Sequence, residues 1–248
     1  MIRTQFPNVV TLISIFFGFL SILNSFMDKY SIACYFILTA AILDSIDGKI
    51  ARLFGVTSEF GKQLDSLSDL VSFCIAPSFL IYVLFSHGMP GISGEVIACM
   101  PLFIGVIRLA RFNIKEDNPY YFEGLPTTFN AIFICSLALY VEQYNIIFKQ
   151  SFDTRLSLSL ILISSFLMVT KINFPKFPAL NFKSGKTNNL RLIYLNLIFL
   201  VMIISFFFDK YYISFLCVTS AMIMIGTIKH LVISEKVHIK FIKKIIRK

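Results

Sequence analysis

From Asp44 to Asp69 the chain reads D-S-I-D-G-K-I-A-R-L-F-G-V-T-S-E-F-G-K-Q-L-D-S-L-S-D. An apolar run over about 32–54 ends in this stretch, and a second over about 64–86 begins in it. Four carboxylates therefore sit at the facing ends of two consecutive apolar helices. An ionisable residue at the centre of a membrane span costs roughly 3 kcal/mol, so something must compensate them. Asp44 and Asp47 are three apart and share one helix face; Asp65 and Asp69 are four apart and share another. Asp47 stands about 9 Å of helix before Leu53, and Asp65 about 6 Å after Gly61. A turn between Gly55 and Gly61 brings all four to similar depth. Clustered anions call for cations between them. Hard divalent ions prefer oxygen ligands, and Mg²⁺ combines carboxylates with substrate phosphates.

The residues between them suit that reading. Gly48 follows Asp47 one turn after Asp44 and lets a ligand approach the backbone. Arg52, one turn further, supplies a permanent cation. Gly61 serves a turn or gives a ligand room. An anionic metal cage with open space and a nearby cation suits a diphosphate. On spacing alone, an ion path or proton relay through a transporter stands as an alternative. Pure packing does not, because unpaired buried charge is too costly.

Outward from this stretch, composition places the whole chain in a bilayer. Of 248 residues 56% are hydrophobic and 15% charged, with mean hydropathy +0.77. A soluble domain carries about 25% charged residues, and the apolar excess has to face lipid. A span needs roughly 20 mainly apolar residues. Eight are expected, over about 9–27, 32–54, 64–86, 94–113, 127–146, 156–172, 190–208 and 211–233, giving an all-α polytopic membrane protein. The first lacks a cationic lead and a small-residue cleavage site, so it reads as a retained span. With both termini inside, the outer loops hold Lys29, Lys149, Arg155 and Lys210, and every other lysine and arginine of the 23 lies inside or at the inner end of a span. Basic residues favour the cytoplasmic side, which predicts N-in, C-in.

Cys34, Cys74, Cys99, Cys135 and Cys217 sit singly in apolar runs, without C-x-x-C, and read as small hydrophobes. His87, His230 and His238 are scattered and read as interface or loop residues. No G-x-x-x-x-G-K-[ST] and no G-x-G occurs, which excludes a phosphate loop and a dinucleotide fingerprint. Residues 173–189 are marked as a loop by Pro175, Pro178, Gly185 and asparagines. Two parts are expected: a membrane domain over 1–233 and a basic amphipathic cytoplasmic tail over 234–248. In the tail Lys236, Lys240, Lys243, Lys244, Arg247 and Lys248 alternate with isoleucines. That pattern fits a helix lying on anionic lipid rather than a nucleic-acid patch.

The pattern Asp44-x2-Asp47-Gly48-x2-Ala51-Arg52-x8-Gly61-x3-Asp65-x3-Asp69 resembles the signature of the CDP-alcohol phosphatidyltransferases and matches it at all eight fixed positions. The resemblance extends over about residues 7–230. It implies a helical membrane enzyme, usually homodimeric, with two divalent cations, Mg²⁺ or Mn²⁺, in a site that faces the cytoplasm from the inner membrane. Asp44, Asp47, Asp65 and Asp69 would hold the metals. Gly48, Ala51, Arg52 and Gly61 would shape the pocket of the CDP-lipid. With the signature the transporter reading recedes.

Within the family the chain looks most like the bacterial and archaeal phosphatidylserine synthases. Pro7-Asn8-x2-Thr11-Leu12, D-S-L-S-D-L-V-S-F-C-I-A-P from Asp65 to Pro77, R-L-A-R-F-N from Arg108 to Asn113, and Glu123-Gly124-Leu125-Pro126 carry this likeness. Cys74 stands where the family usually has glycine. The likeness implies CDP-diacylglycerol and L-serine as substrates, with phosphatidylserine and CMP as products; glycerol phosphate, inositol phosphate and choline are the alternative acceptors. Arg108 and Arg111, three apart on one helix with Asn113 following, suit a carboxylate or, equally, a positive-inside anchor. A serine hydroxyl needs a base to accept its proton, and Asp69 is the candidate.

Overall fold

The computed structural model describes residues 2–54, 58–114, 121–143, 152–175, 186–208 and 210–246. Its elements, in order, are α1 (Ile2–Phe26), α2 (Tyr30–Phe54), α3 (Glu59–Asp69), α4 (Ala76–Ile81), α5 (Ser93–Ile114), β1 (Tyr121–Glu123), α6 (Thr127–Gln143), α7 (Phe152–Leu167), β2 (Asn173–Pro175), α8 (Lys186–Phe207) and α9 (Tyr211–Ile246). π-helical turns at Leu70–Ile75 and Tyr82–Ser86 join α3 and α4 into one rod over Glu59–Ser86. Pro77 has no N–H to offer Phe73, and just before it the ladder widens, Ala76 N bonding Val71 O.

The elements sort into two units, Met1–Asp117 with Pro126–Val169, and Asn118–Leu125 with Thr170–Lys248. In the first, α1 packs along α2. The turn between them is closed by Lys29 N donating to Asn24 O at 2.9 Å, with Asp28 in the left-handed region at φ +58°, where aspartate is tolerated. α6 is buried on nearly every side, its Ala131, Ile134, Cys135 and Ala138 fully so, which makes it the unit's central helix. Ile37, Phe73, Leu80, Ile81 and Ile161 complete the core. Small residues set the crossings. A Cβ on Gly18 would lie 2.6 Å from Ser72 Oγ, and one on Gly105 would run into Cys74 Sγ. Val9, Leu12, Phe16, Phe19 and Leu23 of α1 point outward, as side chains facing lipid must.

In the second unit β1 and β2 pair antiparallel, Phe122 opposite Phe174. Gly124, at φ +73°, donates its N–H to Ile172 O at 2.8 Å. From α9, His230 Nδ1 accepts the Asn173 N–H at 3.3 Å, and Gly226 leaves room for the Phe174 ring.

Five helices among the described residues are long and apolar enough to cross a membrane: Pro7–Phe26, Tyr30–Ile50, Glu59–Ser86, Ser93–Ile114 and Tyr211–His230. They match five of the eight expected spans. Helices also form at the other three, but α6 and α7 are shorter, at 17 and 16 residues, and many α8 side chains lie outside the described residues. The expected tail begins inside α9, whose backbone helix continues to Ile246; side chains beyond 230 are outside the described residues.

Candidate active site

The four aspartates come from two helices whose junction is built locally. α2 carries Asp44 and Asp47 towards its C-terminal end. α3 restarts at Ser58, an extended N-cap whose hydroxyl accepts the Gly61 N–H at 3.0 Å. Gly61 sits where a Cβ would lie 3.2 Å from Ser58 Oγ and 3.4 Å from Asn8 Oδ1, so its small size lets α1 come close. One and two turns later α3 presents Asp65 and Asp69. Carboxylate oxygens of Asp44, Asp47 and Asp65 all lie within 4.8 Å of one another. The Asp44 carboxyl also adjoins that of Asp69.

Two unit charges about 4 Å apart repel by about 4 kcal/mol at an effective dielectric near 20. Three pairs of that kind are not a stable arrangement for ionised groups alone. The donor set, carboxylate oxygens from two helices within reach of one centre, is that of a hard divalent cation. Asp69 Oδ1 is buried without a hydrogen-bond partner among the described residues. The residues present therefore fit a divalent metal. A Cβ on Gly48 would meet nothing within 4 Å, so packing does not demand this glycine and the space beside Asp47 is open. Ala51 and Arg52 continue α2, with side chains outside the described residues.

Asp69 faces a second group. Its Oδ2 accepts from Thr127 Oγ1 at 3.5 Å, and that hydroxyl in turn accepts from Arg108 Nη1 at 3.5 Å. Arg108 is only 9% exposed; its guanidinium lies over the Phe112 ring at 5.9 Å, and its Nε has no partner among the described residues. Arg111 and Asn113 go elsewhere. Arg111 is exposed and donates to Val169 O at 3.3 Å. Asn113 Oδ1 accepts from Ser66 Oγ at 2.9 Å, and its carbonyl accepts from Lys62 Nζ at 3.4 Å, tying α5 to α3. The three residues expected to bind the acceptor thus have three different partners, and Arg108 is the one drawn to the aspartates.

Sequence reasoning missed Thr127, and Thr11, whose hydroxyl donates to Asp47 Oδ2 at 2.8 Å. The signal for both was present, since each belongs to or directly follows one of the short motifs at Pro7 and Glu123. A threonine in an apolar helix, however, ordinarily bonds its own backbone, and spacing does not reveal a partner on another helix.

The family model of the CDP-alcohol phosphatidyltransferases matches residues 4–172. A Helicobacter pylori protein named CDP-diacylglycerol–serine O-phosphatidyltransferase is 37% identical over 200 residues, covering 80% of this chain and 81% of that protein. A Bacillus subtilis protein of the same name is 34% identical over 185 residues, 73% of this chain and 98% of its own. A Methanothermobacter thermautotrophicus protein named archaetidylserine synthase is 34% identical over 176 residues, 68% of this chain and 69% of its own.

Proposed function

Because the chain belongs to the CDP-alcohol phosphatidyltransferase family, we propose that it transfers the phosphatidyl group of CDP-diacylglycerol to L-serine and releases CMP. The observation that carries this is the approach of Arg108, through Thr127, to the same Asp69 that borders the Asp44–Asp47–Asp65 cluster. A buried guanidinium near the carboxylate cluster supports an acceptor that carries a carboxylate and a donor that carries a diphosphate. The names of the similar proteins, serine transferases from two bacteria and an archaetidylserine synthase, support the same acceptor.

Asp44, Asp47, Asp65 and Asp69 would hold two divalent cations, Mg²⁺ or Mn²⁺, whose charge would neutralise the diphosphate and the departing CMP. Gly48 and Gly61, with Ala51 and Arg52, shape the nucleotide pocket beside them. Arg108 receives the serine carboxylate, a pairing that suits its planar fork. Arg111 and Asn113 line the approach on the same end of α5. Asp69 accepts the proton of the serine hydroxyl as its oxygen bonds to the lipid-side phosphorus. The bond from that phosphorus to the bridging oxygen breaks, and the electron pair leaves with CMP.

The membrane topology belongs to this proposal: eight spans, both termini inside, and the aspartates facing the cytoplasm from the inner membrane. So do a membrane domain over 1–233, a homodimer, and a basic tail over 234–248 on anionic lipid. The basic residues of the inner loops favour the orientation. The test is purified protein in lipid with CDP-diacylglycerol and a panel of labelled alcohols. Serine should give CMP and labelled lipid. Preference for glycerol phosphate or inositol phosphate reduces the assignment to the general reaction, and ion or solute flux without CMP removes it.

A further inference from the structure

α1 contributes none of the four aspartates, yet one of its residues touches both helices that do. Thr11 is 5% exposed. Its Oγ1 donates to Asp47 Oδ2 on α2 at 2.8 Å, shorter than its 3.1 Å approach to Pro7 O within α1. Its carbonyl accepts from Ser68 Oγ on α3 at 3.3 Å. Ser68 is fully buried and immediately precedes Asp69. One turn further into the bundle the same arrangement recurs. Ser14 Oγ donates to Ala40 O on α2 at 3.2 Å, and Ser14 O accepts from Ser72 Oγ at 3.1 Å. Thr11 and Ser14 thus form two rungs, each giving a hydroxyl to α2 and taking one from the rod that begins with α3. The inner rung ends on a backbone carbonyl and can only join helices. The outer rung ends on a carboxylate of the cluster.

An unanchored aspartate beside Asp44 and Asp65 turns away from them, because like charges repel. A hydroxyl donor on one carboxylate oxygen opposes that rotation and leaves the second oxygen for another partner. Such outer contacts orient metal ligands and, when removed, typically weaken metal binding 10–100-fold.

We propose that Thr11 is a positioning residue of the divalent-cation centre: its hydroxyl fixes the Asp47 carboxylate, and its carbonyl, through Ser68, sets the height of α3 against it. This rests on the metal-dependent reading above. The test uses the whole protein in lipid nanodiscs, with Mn²⁺ binding followed by its electron paramagnetic resonance signal and thermal unfolding followed in parallel. Thr11→Val, which keeps the shape and removes the hydroxyl, should weaken Mn²⁺ binding about 10–100-fold. Thr11→Ser should bind like the wild type. Ser14→Ala, on the inner rung, should lower thermal stability and leave Mn²⁺ affinity unchanged. Thr11→Ala removes the same hydroxyl with no added bulk and decides the matter if Thr11→Val does not fold. Wild-type affinity in the hydroxyl-less variant overturns the inference, as does equal weakening in Thr11→Ser. Wild type that binds Mn²⁺ yet releases no CMP with serine sinks the transfer reaction and leaves the Thr11 result intact; wild type that binds no Mn²⁺ overturns both.

Discussion

Asp69 and Thr127, 58 residues apart in sequence, meet at 3.5 Å where α3 passes the first turn of α6. The contact is long, but its chemistry is directional. Thr127 accepts from Arg108 and has its single proton left for Asp69. The cation's pull is thus passed to the carboxylate through one hydroxyl, and the carboxylate's orientation depends on it.

Thr127→Val should therefore lower turnover about tenfold, the value of one hydrogen bond of roughly 1.4 kcal/mol, while Thr127→Ser stays near wild type. Steady-state CMP release with saturating serine and lipid checks this. A loss confined to the serine KM would instead make Thr127 part of the acceptor pocket.

Arg108→Gln should raise the KM for serine about 10–100-fold and leave that for CDP-diacylglycerol nearly unchanged, since a charge-assisted contact contributes roughly 1.5–3 kcal/mol. Arg111→Gln should do less, because that side chain is exposed and already bonded to Val169 O. Serine methyl ester should be a poor substrate that loses little further in the Arg108 variant. Equal weakening of both substrates would give Arg108 a structural or nucleotide-binding role.

Asp44→Asn, Asp47→Asn and Asp65→Asn should each cut CMP release by more than about 100-fold, beyond what an outer-shell change costs, with the protein still inserted and monodisperse. A chelator should do the same to the wild type, and Mg²⁺ or Mn²⁺ should restore it. Full activity in any of these cases would falsify the metal-centre reading.

Gly105→Ala should destabilise by about 1–3 kcal/mol, the usual cost of overpacking, because its Cβ would run into Cys74 Sγ. Cys74→Gly should recover most of that loss in the double variant, a coupling that unfolding of the single and double variants in detergent measures directly. Additive losses would show that the two side chains do not share this space. The pair also shows what gives the Cys74 side chain its room: the space is left by Gly105 on α5.

The Asp44–Asp69 stretch and the apolar runs were legible because they depend on spacing along one helix or across one turn. Asp44, Asp47 and Asp65 gather across the turn as their spacing along two helices requires, and five of the eight apolar runs are helices long enough to cross a membrane. The breaks in α3–α4 were not legible, since a π turn follows from which carbonyl a proline leaves unbonded, and apolar periodicity does not register it. Arg108, Arg111 and Asn113 looked alike from sequence because they share one end of α5. Their separation comes from Thr127, Val169 and Ser66, brought in by three other segments. Contacts of that kind are set by packing, as with Thr11 and Asp47.

The most direct measurement is the fate of labelled serine incubated with the purified protein, CDP-diacylglycerol and Mg²⁺ or Mn²⁺. Transfer to serine should give labelled phosphatidylserine and CMP in equal amounts, with CMP absent when either substrate is withheld. CMP release that proceeds without serine, or labelled product only from a different alcohol, contradicts it.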